Sequence, residues 1–273
     1  VFQFKHWNEQ AEPRHQLDTP YAPNVNYESL QKTPLPTVIL TEPIDISQFN
    51  QIVLCTKVLR PLFPSTICPT TTISEFQVTI PPQPTAIKKA HGSSYGDEDY
   101  EQESLSDKKP EEIVVSFQVE KFKDILFICI EENFLHVSPI AWNLLSQQII
   151  RLCKSKNTLQ TIVLGTSDRI TTLKSVGSTL GLPDLEPPEF VTNCTASLIT
   201  TLILHDLPFK SLIAPSEGPS GFEKLSLVSM DQLAESCFEL VKPVENVSSY
   251  IEECHRAWRL QGTAMGAQTG LYI

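Results

Sequence analysis

Asp124 to Gly165 reads DILFICIEENFLHVSPIAWNLLSQQIIRLCKSKNTLQTIVLG, and this stretch decides the fold. Ile125 to Ile130 are six apolar residues in a row, the length of a strand and far short of the roughly 20 that cross a bilayer. Pro139 suits the first turn of a helix. Trp142, Leu145, Ile149 and Leu152 then recur close to helical spacing, which predicts a helix to about Lys156. Thr161 to Gly165 is a second short apolar run, a buried strand. Strand, helix, strand is the pattern of a layered α/β domain.

Outward from this unit the pattern continues in both directions. Towards the amino end, Ile113 to Val119 pairs with Asp124 to Ile130 as a hairpin. Ile73 to Ile80 and Ile52 to Val58 are further strands, ended by prolines at 61, 64, 81 and 82. Residues 1–50 carry aromatics and prolines without periodicity and read as an extended, wrapping arm. Towards the carboxyl end, a helix is expected near Ile170 and another from about Phe190 to Leu204. A strand follows at Lys210 to Ala214, then helices at Ser229–Val241 and Ser248–Leu260. The expected fold is one α/β domain over residues 1–261, a mixed sheet flanked by helices. Residues 83–112, with GDEDYEQE at their centre, bury almost nothing and are expected to form an acidic, disordered insert. Such an insert can act as a decoy or a phosphorylation site; an ordinary surface loop is the commoner use.

Composition narrows the function. The 273 residues are 41% hydrophobic, enough for a real core, and the formal net charge is −11. The 21 Lys and Arg are dispersed, so neither nucleic acid nor an anionic membrane is an expected partner. The opening VFQFKHW is too short and polar for a signal peptide. Seven cysteines at irregular spacing, with no C-x-x-C pair, fit a reducing cytosol or nucleus. The two glycosylation-like triplets, Asn193-Cys194-Thr195 and Asn246-Val247-Ser248, are therefore read as chance matches.

Two loops could carry chemistry. Gly165-Thr166-Ser167-Asp168 lies between a strand and an expected helix, where phosphate can bind. No Walker or G-x-G-x-x-G pattern is present, and Ser167 or Asp168 can simply cap the helix. Ala214 to Lys224, APSEGPSGFEK, follows a strand and is rich in Gly and Pro, a composition typical of functional loops. Ser216 with His205 and Asp206 is a poor hydrolase triad, because adjacent His and Asp cannot both serve one Ser. No catalytic residue, metal ligand or cofactor is assigned; the six His are scattered and lack i+4 partners.

The last segment is of another kind. Gly262 to Gly270 has three glycines in nine residues, a tether, and it leads to Leu271-Tyr272-Ile273. From Gly262 a fully extended tail of residues 262–273 reaches about 40 Å. An apolar residue, a ring with a hydroxyl and a carboxylate at the end of a leash suit insertion into a pocket.

Three segments together resemble one family. They are FKHWN from Phe4 with EPRH from Glu12; APSEGPSGFEKLSL from Ala214; and ECHRAWR from Glu253, continuing to GAQTGLYI at Gly266–Ile273. The chain resembles the first subunit of the fungal heterodimeric proteasome assembly chaperones, over its whole length. That resemblance implies a second, related chaperone subunit as partner, and binding to the outer face of the proteasome core particle's α ring. It implies that Leu271, Tyr272 and Ile273, as a hydrophobic–Tyr–any tail, enter a pocket between α subunits where the carboxylate meets a Lys. The implied work is to assist α-ring assembly, to block premature partners and to favour immature particles. Ser216, Glu217, Gly218, Gly221, Phe222, Glu223 and Lys224 are then expected to contact the partner subunit or to brace the C-terminal helix. Two other readings stand beside it. One is an α/β enzyme of nucleoside-phosphorylase-like fold, its phosphate loop at Gly165–Asp168 or Ser216–Gly221. The other is a scaffold that binds through the acidic insert.

Overall fold

Ile125 to Ile130 does form a strand, and in a computed structural model of the chain it lies at the centre of a seven-stranded mixed sheet. The structure describes residues 35–81, 112–131, 139–156, 159–177, 181–218 and 221–265. The strands are β1 (Thr37–Leu40), β2 (Gln51–Thr56), β3 (Thr71–Ile80), β4 (Ile113–Phe122), β5 (Ile125–Ile130), β6 (Gln160–Ser167) and β7 (Phe209–Pro215). Their order in the sheet is β1-β3-β4-β5-β2-β6-β7. β5, β2, β6 and β7 run parallel; β1, β3, β4 and β5 pair antiparallel.

The helices are α1 (Pro139–Lys154), α2 (Asn193–Leu204), α3 (Leu227–Val241) and α4 (Val247–Gln261). They cover both faces of the parallel strands, which explains the unbroken apolar runs in β2 and β5. In β2, Ile52 and Leu54 join one core with α1 and α2, while Val53 and Cys55 join the other with α3 and α4. β3 instead alternates: Phe76, Val78 and Ile80 are buried and the residues between them are half exposed. Trp142, Leu145 and Ile149 of α1 are buried as their spacing predicts, with Leu152 half buried.

Two expectations are corrected. The arm expected over residues 1–50 contains strand β1 and a 3-10 turn at Ile46–Gln48 within its described part. And no helix begins near Ile170. There Ile170 and Leu173 tuck into the core, and the chain runs antiparallel beside the outer strand: Lys174 and Ile213 exchange backbone hydrogen bonds of 3.0 and 2.9 Å. This covers the β7 edge, which would otherwise offer unpaired backbone groups. The acidic insert lies outside the described residues.

Candidate functional site

The APSEGPSGFEK loop leaves the carboxyl end of β7 and folds back on itself. The Ser216 N–H donates to the Ser167 carbonyl (3.0 Å), carrying the β6–β7 pairing one residue further. Glu217 and Lys224 then exchange backbone bonds of 2.9 and 2.7 Å, closing the loop at its base. Gly218 and Gly221 are both at positive φ. Phe222 at the tip is 65% exposed. Glu223 points inward and is buried, with one carboxylate oxygen 3.5 Å from the Thr166 hydroxyl. Burial pushes its carboxyl above the usual range, against bonds from its own N–H, the Gly221 N–H and Thr166.

Immediately after this loop the chain grips the root of the C-terminal segment. The Leu225 N–H donates to the Thr263 carbonyl (3.0 Å), and the Met265 N–H donates to the Leu225 carbonyl (2.8 Å). Leu225 and Ala264, paired in parallel, are both buried. The Lys224 ammonium donates to the Gly262 carbonyl. Gly262 itself ends α4 in the left-handed region, φ 69°. Its N–H and that of Thr263 satisfy the last carbonyls of the helix, Arg259 and Trp258, as such caps do. So Gly262–Met265, counted with the tether in the sequence, are held by backbone bonds.

Helix α4 is a firm base for this clamp. Tyr250, Cys254 and Trp258, spaced by four, are fully buried on one face. The Tyr250 hydroxyl donates to the Leu62 carbonyl at 2.7 Å, and His255 bonds Asp231 on α3. Its start is capped by Asn246, whose side chain accepts from the Ser248 and Ser249 N–H groups. Asn193 likewise opens α2; both glycosylation-like triplets are helix beginnings. Around the clamp several large apolar side chains stay in solvent: Phe222, Leu227, Val228, Leu260 and Met265.

The other sequence candidates separate. His205 ends α2 and Asp206 follows it, before β7, whereas Ser216 follows β7. A seven-residue strand, roughly 20 Å long, lies between them, so they form no triad. Ser167 caps no helix; its hydroxyl donates to the Phe190 carbonyl at 2.7 Å and accepts from the Arg169 N–H. The loops at Gly165–Asp168 and Ser216–Gly221 do meet, at the carboxyl edge of β6 and β7. Among the described residues no cluster of His, Cys, Asp and Glu could hold a metal, and no helix is long and apolar enough to cross a membrane. The cysteines pack as small hydrophobes; burial pushes the Cys237 thiol up to about 12. Leu271, Tyr272 and Ile273 lie outside the described residues. Sequence reasoning missed Leu225 and Thr263, whose part is played by backbone atoms and leaves no mark on residue type.

The fold resembles PbaA of Pyrococcus furiosus, an archaeal homologue of proteasome-assembly chaperone, in two crystal structures. The first gives a TM-score of 0.52 at 13% identity, covering 82% of this chain and 90% of that one. The second gives 0.51 at 12% identity, covering 81% and 92%. At such identity the likeness speaks to the fold. Sequence speaks to more: the chain is 39% identical over 282 residues to Proteasome chaperone 1 of Saccharomyces cerevisiae, covering 99% of each. A family model described as POC1 chaperone matches residues 2–273, and the chain belongs to that family.

Proposed function

We propose that this chain is a proteasome assembly chaperone that works by binding rather than catalysis, as one half of a heterodimer with a second, related subunit. It docks on the outer face of the core particle's α ring, and Leu271-Tyr272-Ile273 enters a pocket between α subunits. The 39% identity to a yeast proteasome chaperone over 99% of each chain supports the assembly-chaperone role. The observation that carries the docking mode is the clamp: the segment leading to the tail is fixed to the body by bonds from Lys224, Leu225 and Met265. A tail that is to find a pocket gains from a defined point of departure.

One short tail makes few contacts and binds weakly. A second tail on the partner subunit raises the effective concentration of the first, so two weak contacts become one firm one. A preference for immature particles then requires different affinities for two α-ring conformations. The reduced thiols suit work in the cytosol or nucleus. The test is capture of core particles by the purified heterodimer, intact or lacking residues 271–273. Capture should collapse while the heterodimer survives. Capture that is unchanged by the deletion would remove the tail from the mechanism.

A further inference from the structure

Two polar atoms at the carboxyl edge of the sheet are buried with no hydrogen-bond partner. Ser216 and Glu223 are each 7% exposed, and neither Ser216 Oγ nor Glu223 Oε2 is bonded. Native proteins rarely leave such atoms unmet. Both line one cavity of about 230 Å³. It lies where the turns after adjacent parallel strands β6 and β7 meet, the place at which open α/β sheets hold their ligands.

The cavity has two chemically distinct sides. One suits an anion. It is formed at the start of the twelve-residue helix α2, where Thr192 and Asn193 line the cavity, so the positive end of the helix dipole lies at the opening. Arg169 adds a cation there, its guanidinium 5.5 Å over the Phe190 ring. Asp168, 3.5 Å from it, offsets part of that charge, and both side chains are more than half exposed. The other side suits hydroxyls. Glu223 Oε2 accepts, and Ser216 Oγ can donate or accept. The volume is below the roughly 300–1,000 Å³ of sites for drug-sized ligands, so the occupant is small.

We propose that this crevice binds a small phosphorylated polyol, with its phosphate at Arg169 and the amino end of α2 and its hydroxyls on Glu223 and Ser216. The reading is independent of proteasome docking: it uses neither the tail nor a partner subunit.

The experiment is calorimetric titration of the purified full chain with ribose 5-phosphate, inorganic phosphate and ribose as separate probes. Ribose 5-phosphate should bind saturably, and each of the other two at least about tenfold more weakly, since each meets half of the site. Arg169→Gln, at an exposed position that leaves folding intact, should weaken ribose 5-phosphate about tenfold and leave ribose unaffected. Ser216→Ala should weaken ribose 5-phosphate and ribose and leave phosphate unaffected. No binding of ribose 5-phosphate up to about 10 mM overturns the proposal. So does inorganic phosphate binding as tightly as the sugar phosphate, which would make this a simple anion site. Binding that survives both substitutions places the ligand elsewhere and overturns it equally.

Discussion

Replacing Gly262 by Ala tests the clamp through a single methyl group. Gly262 sits at φ 69°, ψ 17°, and a Cβ there would meet nothing nearer than the Lys224 ammonium at 4.0 Å. No steric clash contributes, so the cost is that of holding an L residue in the left-handed region, about 1–2 kcal/mol. At about 2–4 °C per kcal/mol for a chain of this size, the melting temperature should fall by about 2–8 °C. Asn tolerates this region better than other L residues, so Gly262→Asn should melt closer to the parent. The strain acts at the hinge of five hydrogen bonds: the two that end α4, and those joining Gly262, Thr263 and Met265 to Lys224 and Leu225. The chain can relieve it by unwinding there, which would free the root and lower core-particle capture along with the melting point. Thermal melts of the three proteins decide the matter. If Ala and Asn both melt with the parent, the left-handed cap is not required and the clamp is not the rigid element described above.

Three further outcomes follow from other contacts. A Cβ on Gly165 would lie 2.4 Å from Thr195 Cγ2 and 2.6 Å from its Oγ1, so Gly165→Ala should cost about 1–3 kcal/mol by overpacking α2 on β6. Adding Thr195→Ala should recover part of that loss, and strict additivity in urea melts would refute the contact. Burial holds the Glu223 carboxyl above its ordinary pKa, so the folded state keeps this proton more tightly than the unfolded chain. The ionised group therefore costs stability at neutral pH, and that cost disappears as pH falls through the raised value towards the unfolded one. Glu223→Gln should raise the urea midpoint at pH 7 and lose its advantage near about pH 4; an equal gain at both would exclude ionisation as the cause. Arg60 holds Glu120 at 2.8 Å, Thr70 at 3.1 Å and the Phe63 carbonyl at 3.3 Å while lying over the Phe127 ring. Lys cannot make that fork, so Arg60→Lys should cost roughly 1–2 kcal/mol in the same assay.

How much of this was legible in the residues follows from where each element sits. β5, α1 and β6 were plain because they are buried: Ile125–Ile130 is apolar on both faces since helices cover both, and Trp142, Leu145 and Ile149 line one helical face. β1 was hidden because it is four residues long and half exposed, so its side chains carry no alternation strong enough to see. The helix expected near Ile170 is absent because Ile170 and Leu173 are buried by a chain that crosses the β7 edge in extended form. The unusual composition of the 214–224 loop marked it as important, and its turns at Gly218 and Gly221 explain the glycines. The expectation that it braces the C-terminal helix points towards the Lys224–Gly262 bond, but the backbone part of the clamp was not legible. Leu225 and Thr263 meet through backbone N–H and C=O groups that every residue except proline possesses.

On the proposed docking mode, the clamp would act through position more than through entropy. It leaves residues 266–273 beyond Met265, eight in place of the twelve counted from Gly262. The greatest span falls from about 40 to about 26 Å. The entropic gain from that shortening is small: (3/2)RT ln(12/8) is about 0.4 kcal/mol, less than twofold in affinity. If reach alone mattered, the Lys224–Gly262 and Leu225–Thr263 bonds would be of little use to a tail that binds. On the proposed docking mode, their use lies in fixing where the tail departs, so that the body around Phe222 and Leu260 and the tip at Leu271-Tyr272-Ile273 would meet the α ring together. Inserting four Gly and Ser residues after Met265 separates the two ideas, since it restores the longer leash and leaves the clamp intact. Capture of core particles should weaken by well over twofold. A change of twofold or less would mean that the tail binds as a free peptide, and that the fixed root plays no part in docking.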